Sequence, residues 1–111
     1  MIKMVSWNYN DLQNWIDNGC DETITEQVTV LDIRKNNLKK IPKEIRKLTH
    51  LKEFNCSENQ IKKIPKEISY LTQLLSFCCY KNKIKKIPKE IGNLINLKLF
   101  FSMFTVKSRF I

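Results

Sequence analysis

A chain of 111 residues with 20 Lys/Arg against 11 Asp/Glu and a net charge of +9 has the size of one small, basic domain. With two glycines and no long apolar run it offers no membrane-spanning helix. Its first ten residues, carrying one lysine and no apolar core, do not read as a secretory signal. The charge is divided: residues 1–27 hold one lysine against five acids, net −4, and residues 28–111 hold 19 basic against 6 acidic side chains, net +13. Lys, Asn and Ile make up 42 of the 111 residues and Ala is absent. An AT-rich genome encodes such a bias, which tempers any functional reading of the lysines. These features point to a cytoplasmic protein.

Val5, Trp7 and Tyr9 alternate with polar residues, a weak strand signal. Asn10 stands three residues before Gln13, a candidate N-cap and capping box for a helix over about 10–18. Leu12, Trp15, Ile16 and Cys20 then share one helical face, and Asn18-Gly19 is a stop signal. An amphipathic helix with an acidic outer face, anchored by Trp15, suits an N-terminal cap spanning 1–27. Asp21–Gln27 reads as a polar connection with room for one helical turn.

From Val28 onward the sequence repeats every 23 residues, in copies 28–50, 51–73, 74–96 and a partial 97–111. Leu31, Phe54, Phe77 and Phe100 coincide, as do Ile33, Cys56 and Cys79, and Asn36, Asn59 and Asn82. Each full copy closes with I-P-K-E-I, at Ile41–Ile45, Ile64–Ile68 and Ile87–Ile91, followed by Leu48, Leu71 and Leu94. Pro42, Pro65 and Pro88 suit the first position of a helical turn, with Glu44, Glu67 and Glu90 near its positive end.

The match to L-x-x-L-x-L-x-x-N-x-L across 28–104 resembles the leucine-rich repeat family. That implies an α/β solenoid of about 3.5 repeats, with a parallel concave β-sheet and short helical or 3-10 turns on the return side. The resemblance also gives Asn36, Asn59 and Asn82 the role of a structural ladder. The 23-residue I-P-x-x-I unit, the W-x-x-x-x-L-x-x-W-I-x-N-G-C cap and the Lys/Asn/Ile bias look most like small leucine-rich repeat proteins of amoeba-infecting giant viruses such as mimivirus. The pattern fails after Leu97, where Thr105 replaces the Asn and Lys107 the following aliphatic residue.

Strand alternation predicts which side chains the concave face exposes. Three rows result: Val30–Glu53–Ser76–Leu99, Asp32–Asn55–Cys78–Phe101 and Arg34–Ser57–Tyr80–Met103. These rows vary while the inward positions do not, and specificity in a solenoid is stored on such positions. The leading expectation is therefore a non-enzymatic module that presents Arg34, Glu53, Asn55, Ser57, Ser76, Cys78, Tyr80, Leu99, Phe101 and Met103 to a protein partner, with Tyr80 as the aromatic anchor. A second surface repeats on the return side: Lys39/Lys62/Lys85, Lys40/Lys63/Lys86 and Lys43/Lys66/Lys89. That basic ladder suits nucleic acid or an anionic membrane, although it lacks the aromatics and arginines that base recognition favours.

Nothing argues for catalysis, a small-molecule substrate, a cofactor or a metal. No Ser/His/Asp or Cys/His arrangement has nucleophilic spacing, and Gly19 and Gly92 make no phosphate loop. Cys20, Cys56, Cys78 and Cys79 contain no C-x-x-C, and His50 is the single histidine. Free thiols in a reducing compartment are expected, although stacked strands would let Cys56 reach Cys79. At the far end, Leu97–Phe104 is apolar on both faces, and as a last strand it would leave an unpaired edge. Either Val106–Ile111 folds back over it or two chains meet there; a homodimer through this C-terminal edge is the favoured outcome.

Overall fold

Parallel strands cannot be joined by a tight turn, so each 23-residue unit must carry its own crossover. The computed structural model describes residues 3–102 and the backbone of 105–108. Within them, β1 (Val5–Asn8), β2 (Val28–Asp32), β3 (Glu53–Asn55), β4 (Ser76–Cys78), β5 (Leu99–Ser102) and β6 (Thr105–Ser108) lie side by side in chain order in one sheet. The first five are parallel and β6 is antiparallel. The crossovers are extended return paths, each with one 3-10 turn: Lys43–Lys47, Lys66–Tyr70 and Lys89–Asn93.

Register follows the 23-residue period. Leu31 pairs with Phe54, Phe54 with Phe77 and Phe77 with Phe100. The three phenylalanine rings stack at 5.3 and 5.5 Å between centroids, within 14° of parallel. Behind them Ile33, Cys56, Ile45, Ile68, Leu48, Leu71, Leu51 and Leu74 are fully buried, so strand and return path share one core. Burying side chains of this size contributes roughly 1.5–3 kcal/mol each, and it is the main term holding so short a solenoid together.

Two backbone devices turn the chain off the sheet. Lys35, Glu58 and Lys81, one per repeat, have φ of 57°, 57° and 54°. A side chain in this left-handed region costs roughly 1–2 kcal/mol, so the turn is held by something stronger than local preference. The asparagine ladder supplies it. Asn59 Nδ2 donates to the Ile33, Cys56 and Ser57 carbonyls at 3.1, 2.9 and 3.3 Å, and its Oδ1 accepts from Asn36 N and Leu38 N. Asn82 repeats the pattern one unit on, donating to the Cys56, Cys79 and Tyr80 carbonyls and accepting from Ile61 N. Asn36 closes only its own turn, donating to the Ile33 and Arg34 carbonyls.

Pro42, Pro65 and Pro88 stand at the N-cap of each 3-10 turn, one residue before the first helical position that the sequence suggests for them. Their carbonyls accept from Ile45, Ile68 and Ile91 at 3.3, 3.1 and 3.1 Å, and the missing proline N–H goes unused. Glu44, Glu67 and Glu90 lie in the first turn, as expected.

The amino-terminal cap is a strand followed by a helix. β1 pairs in parallel with β2 and so extends the sheet. Helix α1 (Tyr9–Asp17) follows at once, with Leu12 and Trp15 buried. It spans 9–17 instead of 10–18, and its N-cap is Asn8 instead of Asn10. Asp11 reaches back to Asn8 N at 3.0 Å while Asn8 Oδ1 accepts from Asp11 N at 2.9 Å, a capping box completed two residues early. The far end is a Schellman motif: Gly19 N donates to Ile16 O and Cys20 N to Trp15 O, with Gly19 at φ +92° where a glycine is favoured. Trp15 Nε1 donates to Asp21 O at 2.9 Å and its ring leans on Trp7 at 5.7 Å. Asp21–Gln27 does contain a further turn, a 3-10 segment over Glu22–Gln27.

At the other end the expectation of an unpaired final edge is corrected. β6 returns antiparallel and pairs Leu99 with Ser108, Phe100 with Lys107, Phe101 with Val106 and Ser102 with Thr105. The reversal coincides with the failed repeat: Thr105, which stands where the asparagine would, already lies in β6. The expected cover by Phe110 and Ile111 lies outside the described residues.

Candidate functional site: the concave rows and the return face

Register places the predicted rows together. Val30, Glu53, Ser76 and Leu99 are successive partners across β2–β5, as are Asp32, Asn55, Cys78 and Phe101. The cap lengthens both rows, because Ser6 pairs with Val30 and Asn8 with Asp32. These two positions were missed in the sequence; the alternation of Val5, Trp7 and Tyr9 marks the strand that carries them. The third row runs past the strand ends, where Lys35 N donates to Ser57 O at 3.2 Å and Glu58 N to Tyr80 O at 2.9 Å. Met103, its last member, lies outside the described residues.

Exposure is less uniform than alternation suggests. Arg34, Glu53 and Leu99 are exposed, whereas Asn55, Ser76, Cys78, Tyr80 and Phe101 are half-buried. Ser57 is a correction: it is 0% exposed, and its Oγ finds no hydrogen-bond partner among the described residues. The 23-residue period places it between Arg34 and Tyr80 in the third row, yet its side chain is closed off from water. Tyr80 is correspondingly a half-covered ring. Local bonds stiffen the face: Asp32 pairs with Arg34 Nε at 3.1 Å, and Asn55 Oδ1 accepts from Ser57 N at 3.0 Å.

The depressions here are shallow, one of ≈180 Å³ around Asp32, Asn55 and Cys78 and one of ≈420 Å³ around Lys52, Leu75, Lys98 and Leu99. Neither resembles a closed small-molecule pocket, and a broad, varied face suits a macromolecular surface. Chemistry at the thiols is unpromising. All four cysteines are free. Burial pushes the Cys78 thiol up, against a lowering by its hydrogen bond with Ser76. Burial and then its neighbour Cys78 push Cys79 up to about 12, and burial and the other thiols hold Cys56 well above its ordinary value. These thiols stay protonated at neutral pH and are poor nucleophiles. Among the described residues no group of three or more His, Cys, Asp or Glu side chains is placed to hold a metal ion.

The nine ladder lysines, Lys39, Lys40, Lys43, Lys62, Lys63, Lys66, Lys85, Lys86 and Lys89, are all exposed on the return side. They flank Ile41, Ile64 and Ile87, and the last of each trio opens a 3-10 turn. None takes part in the three ion pairs among the described residues, Arg34–Asp32, Lys35–Glu58 and Lys47–Glu22.

Comparison with known proteins agrees with this geometry. The family described as leucine-rich repeat region matches residues 26–110. Among solved structures, an internalin (InlF) from Listeria monocytogenes is 31% identical over 75% of this chain and 24% of its own, with a TM-score of 0.65. A Leptospira interrogans leucine-rich repeat protein, 21% identical over 91% of this chain and 36% of its own, reaches a TM-score of 0.69 and shows the fold alone. The functional domain of InlJ from Listeria monocytogenes, which includes a cysteine ladder, is 26% identical over 75% of this chain and 17% of its own, with a TM-score of 0.61. The chain thus spans about a sixth to a third of these structures. No curated protein matches it.

Proposed function

Because this chain belongs to the leucine-rich repeat family, we propose that it is a non-enzymatic interaction module whose concave rows bind a protein partner. Leucine-rich repeat domains are generally protein-interaction modules, and fold alone supplies no chemistry. The observation that carries the reading is the register: side chains that differ from repeat to repeat stand in straight rows on an unvarying core. Glu53 and Leu99 supply an exposed acid and an exposed apolar side chain, Arg34 a fixed guanidinium, and Tyr80 a half-covered ring of the kind interfaces favour.

A cytoplasmic setting fits the four free thiols. Among the described residues no helix is long and apolar enough to cross a membrane. A giant-virus origin, and with it a host cytoplasm, rests on the cap sequence and the composition; the structural likenesses are to Listeria and Leptospira proteins. Cys56 and Cys79, buried at equivalent positions of successive repeats, make a two-rung stack that the InlJ likeness supports reading as structural. Recognition of nucleic acid or a membrane through the lysine ladder has no support in the comparisons. A homodimer at the C-terminal end would have to form through β6, since β5 is already paired on both sides.

Affinity capture from host-cell lysate tests the concave reading. Wild type is run beside a concave variant (Glu53→Lys, Tyr80→Ala, Leu99→Asp) and a return-face variant (Lys39→Glu, Lys40→Glu). A protein held by wild type and the return-face variant but lost from the concave variant is the expected result. Equal retention by all three would overturn it.

A further inference from the structure

On the return side a groove of ≈1050 Å³ lies between the second and third repeats. Six lysines line it: Lys62, Lys63, Lys83, Lys85, Lys86 and Lys89. No acidic side chain stands among them. All six are exposed, and none is in an ion pair among the described residues. The rest of the lining is largely aliphatic, from Ile64, Ile84, Ile87 and Pro88. Ile87 breaks the repeat pattern: it is 38% exposed, whereas its counterparts Ile41 and Ile64 are each 4% exposed. A lysine face that only solubilises the protein has no use for an exposed isoleucine in its midst.

We propose that this groove docks a segment of a partner protein that carries several carboxylates and at least one large apolar side chain. The carboxylates meet the lysine rims and the apolar side chain covers Ile87. Charge complementarity selects the acidic class, because six unpaired cations around one groove repel a basic segment and offer a neutral one little that water does not. The aliphatic lining selects against other polyanions. A phosphate backbone has nothing apolar to place on Ile87, and bases need aromatic or arginine platforms that this lining lacks. A bilayer surface is flat and meets a groove only at its rims. The site shares no lining residue with the concave rows and does not rest on them.

Fluorescence anisotropy with the full chain distinguishes these cases. The probes are a labelled peptide alternating Glu with Leu, an equally charged peptide alternating Glu with Ser, a thymidine oligonucleotide, and phosphatidylcholine/phosphatidylserine vesicles read by co-sedimentation. The Glu/Leu peptide is expected to bind at low salt, roughly tenfold or more tighter than the Glu/Ser peptide, because an added apolar contact is buried. Salt should weaken both. Lys62→Glu with Lys85→Glu should weaken Glu/Leu binding roughly tenfold or more by placing like charges together. Ile87→Ser should bring the Glu/Leu peptide down to the level of Glu/Ser. Equal affinity for the two peptides, preference for the oligonucleotide or vesicles, self-association at low salt in place of peptide binding, or no binding would each overturn the proposal. The comparison of probes on wild type decides even if a variant folds poorly, and circular dichroism checks that each variant keeps the fold.

Discussion

The two ends of the solenoid are closed in different ways. At the amino end a helix lies against the first repeat, and Leu12 and Trp15 are 0% and 5% exposed. At the carboxyl end an antiparallel strand pairs with β5. Among the described residues the outer strands β1 and β6 each have one neighbour in the sheet, and at the amino end the helix adds Leu12 and Trp15 to the core. The effect is visible in equivalent residues. Phe54 and Phe77 are 1% and 0% exposed while Phe100 is 7%; Ile45 and Ile68 are fully buried while Ile91 is half-buried; and Ile87 is open where Ile41 and Ile64 are not. A stack of repeats has two kinds of edge, one of hydrogen bonds and one of core. An added strand carries the first outward by one place, and the second shows in the open Ile87.

The largest expected effect comes from removing the better seal. Trp15→Ala should cost about 3–5 kcal/mol, since it empties a buried aromatic site and strands the Asp21 carbonyl. An unfolding free energy, from denaturant titration, lowered by less than a third of that would mean the helix is dispensable to the first repeat. The contrast between ends is sharpened by a matched pair. Ile41→Ala, in the first repeat, should cost about 2–5 kcal/mol and Ile87→Ala about 1 kcal/mol or less, because the second side chain is already partly in water. Equal losses in parallel denaturations would show that the carboxyl end is as tightly closed as the amino end. The smallest pair tests the ladder: Asn59→Ala should cost about 1–3 kcal/mol by leaving buried turn groups unmet. Asn36→Ala, at an exposed rung that bonds only its own turn, should cost less, and a larger loss at Asn36 would break the account.

The repeat register was legible in the sequence because the constraint behind it is severe: a position facing the core every 23 residues admits only an apolar or small side chain. Leu31, Phe54, Phe77 and Phe100, and the three asparagines, read directly from that rule. The concave rows were legible for the same reason, by alternation. What alternation cannot convey is how far a small side chain is covered by its surroundings, and so Ser57 was taken as open when it is fully buried. The N-cap was misplaced by two residues because Asn8 and Asn10 both have an acceptor three positions ahead in Asp11 and Gln13. Only the geometry of the strand entering the helix separates them. The return of β6 was one of two options left by the failed fourth repeat, and the groove was hidden because the lysines were seen as columns, without the aliphatic residues between them.

The asparagine rungs bear on how such a chain changes length. Asn59 and Asn82 each bond to a turn one whole unit behind, 26 residues back to Ile33 and Cys56. Removing or duplicating any block of 23 residues therefore presents each rung with the same carbonyl it had before. Cuts of any other size set the rung against the wrong group. Growth and loss by whole units thus keep the remaining rungs in register, so recombination within the gene can alter the span of the concave face without mismatching the turns that carry it.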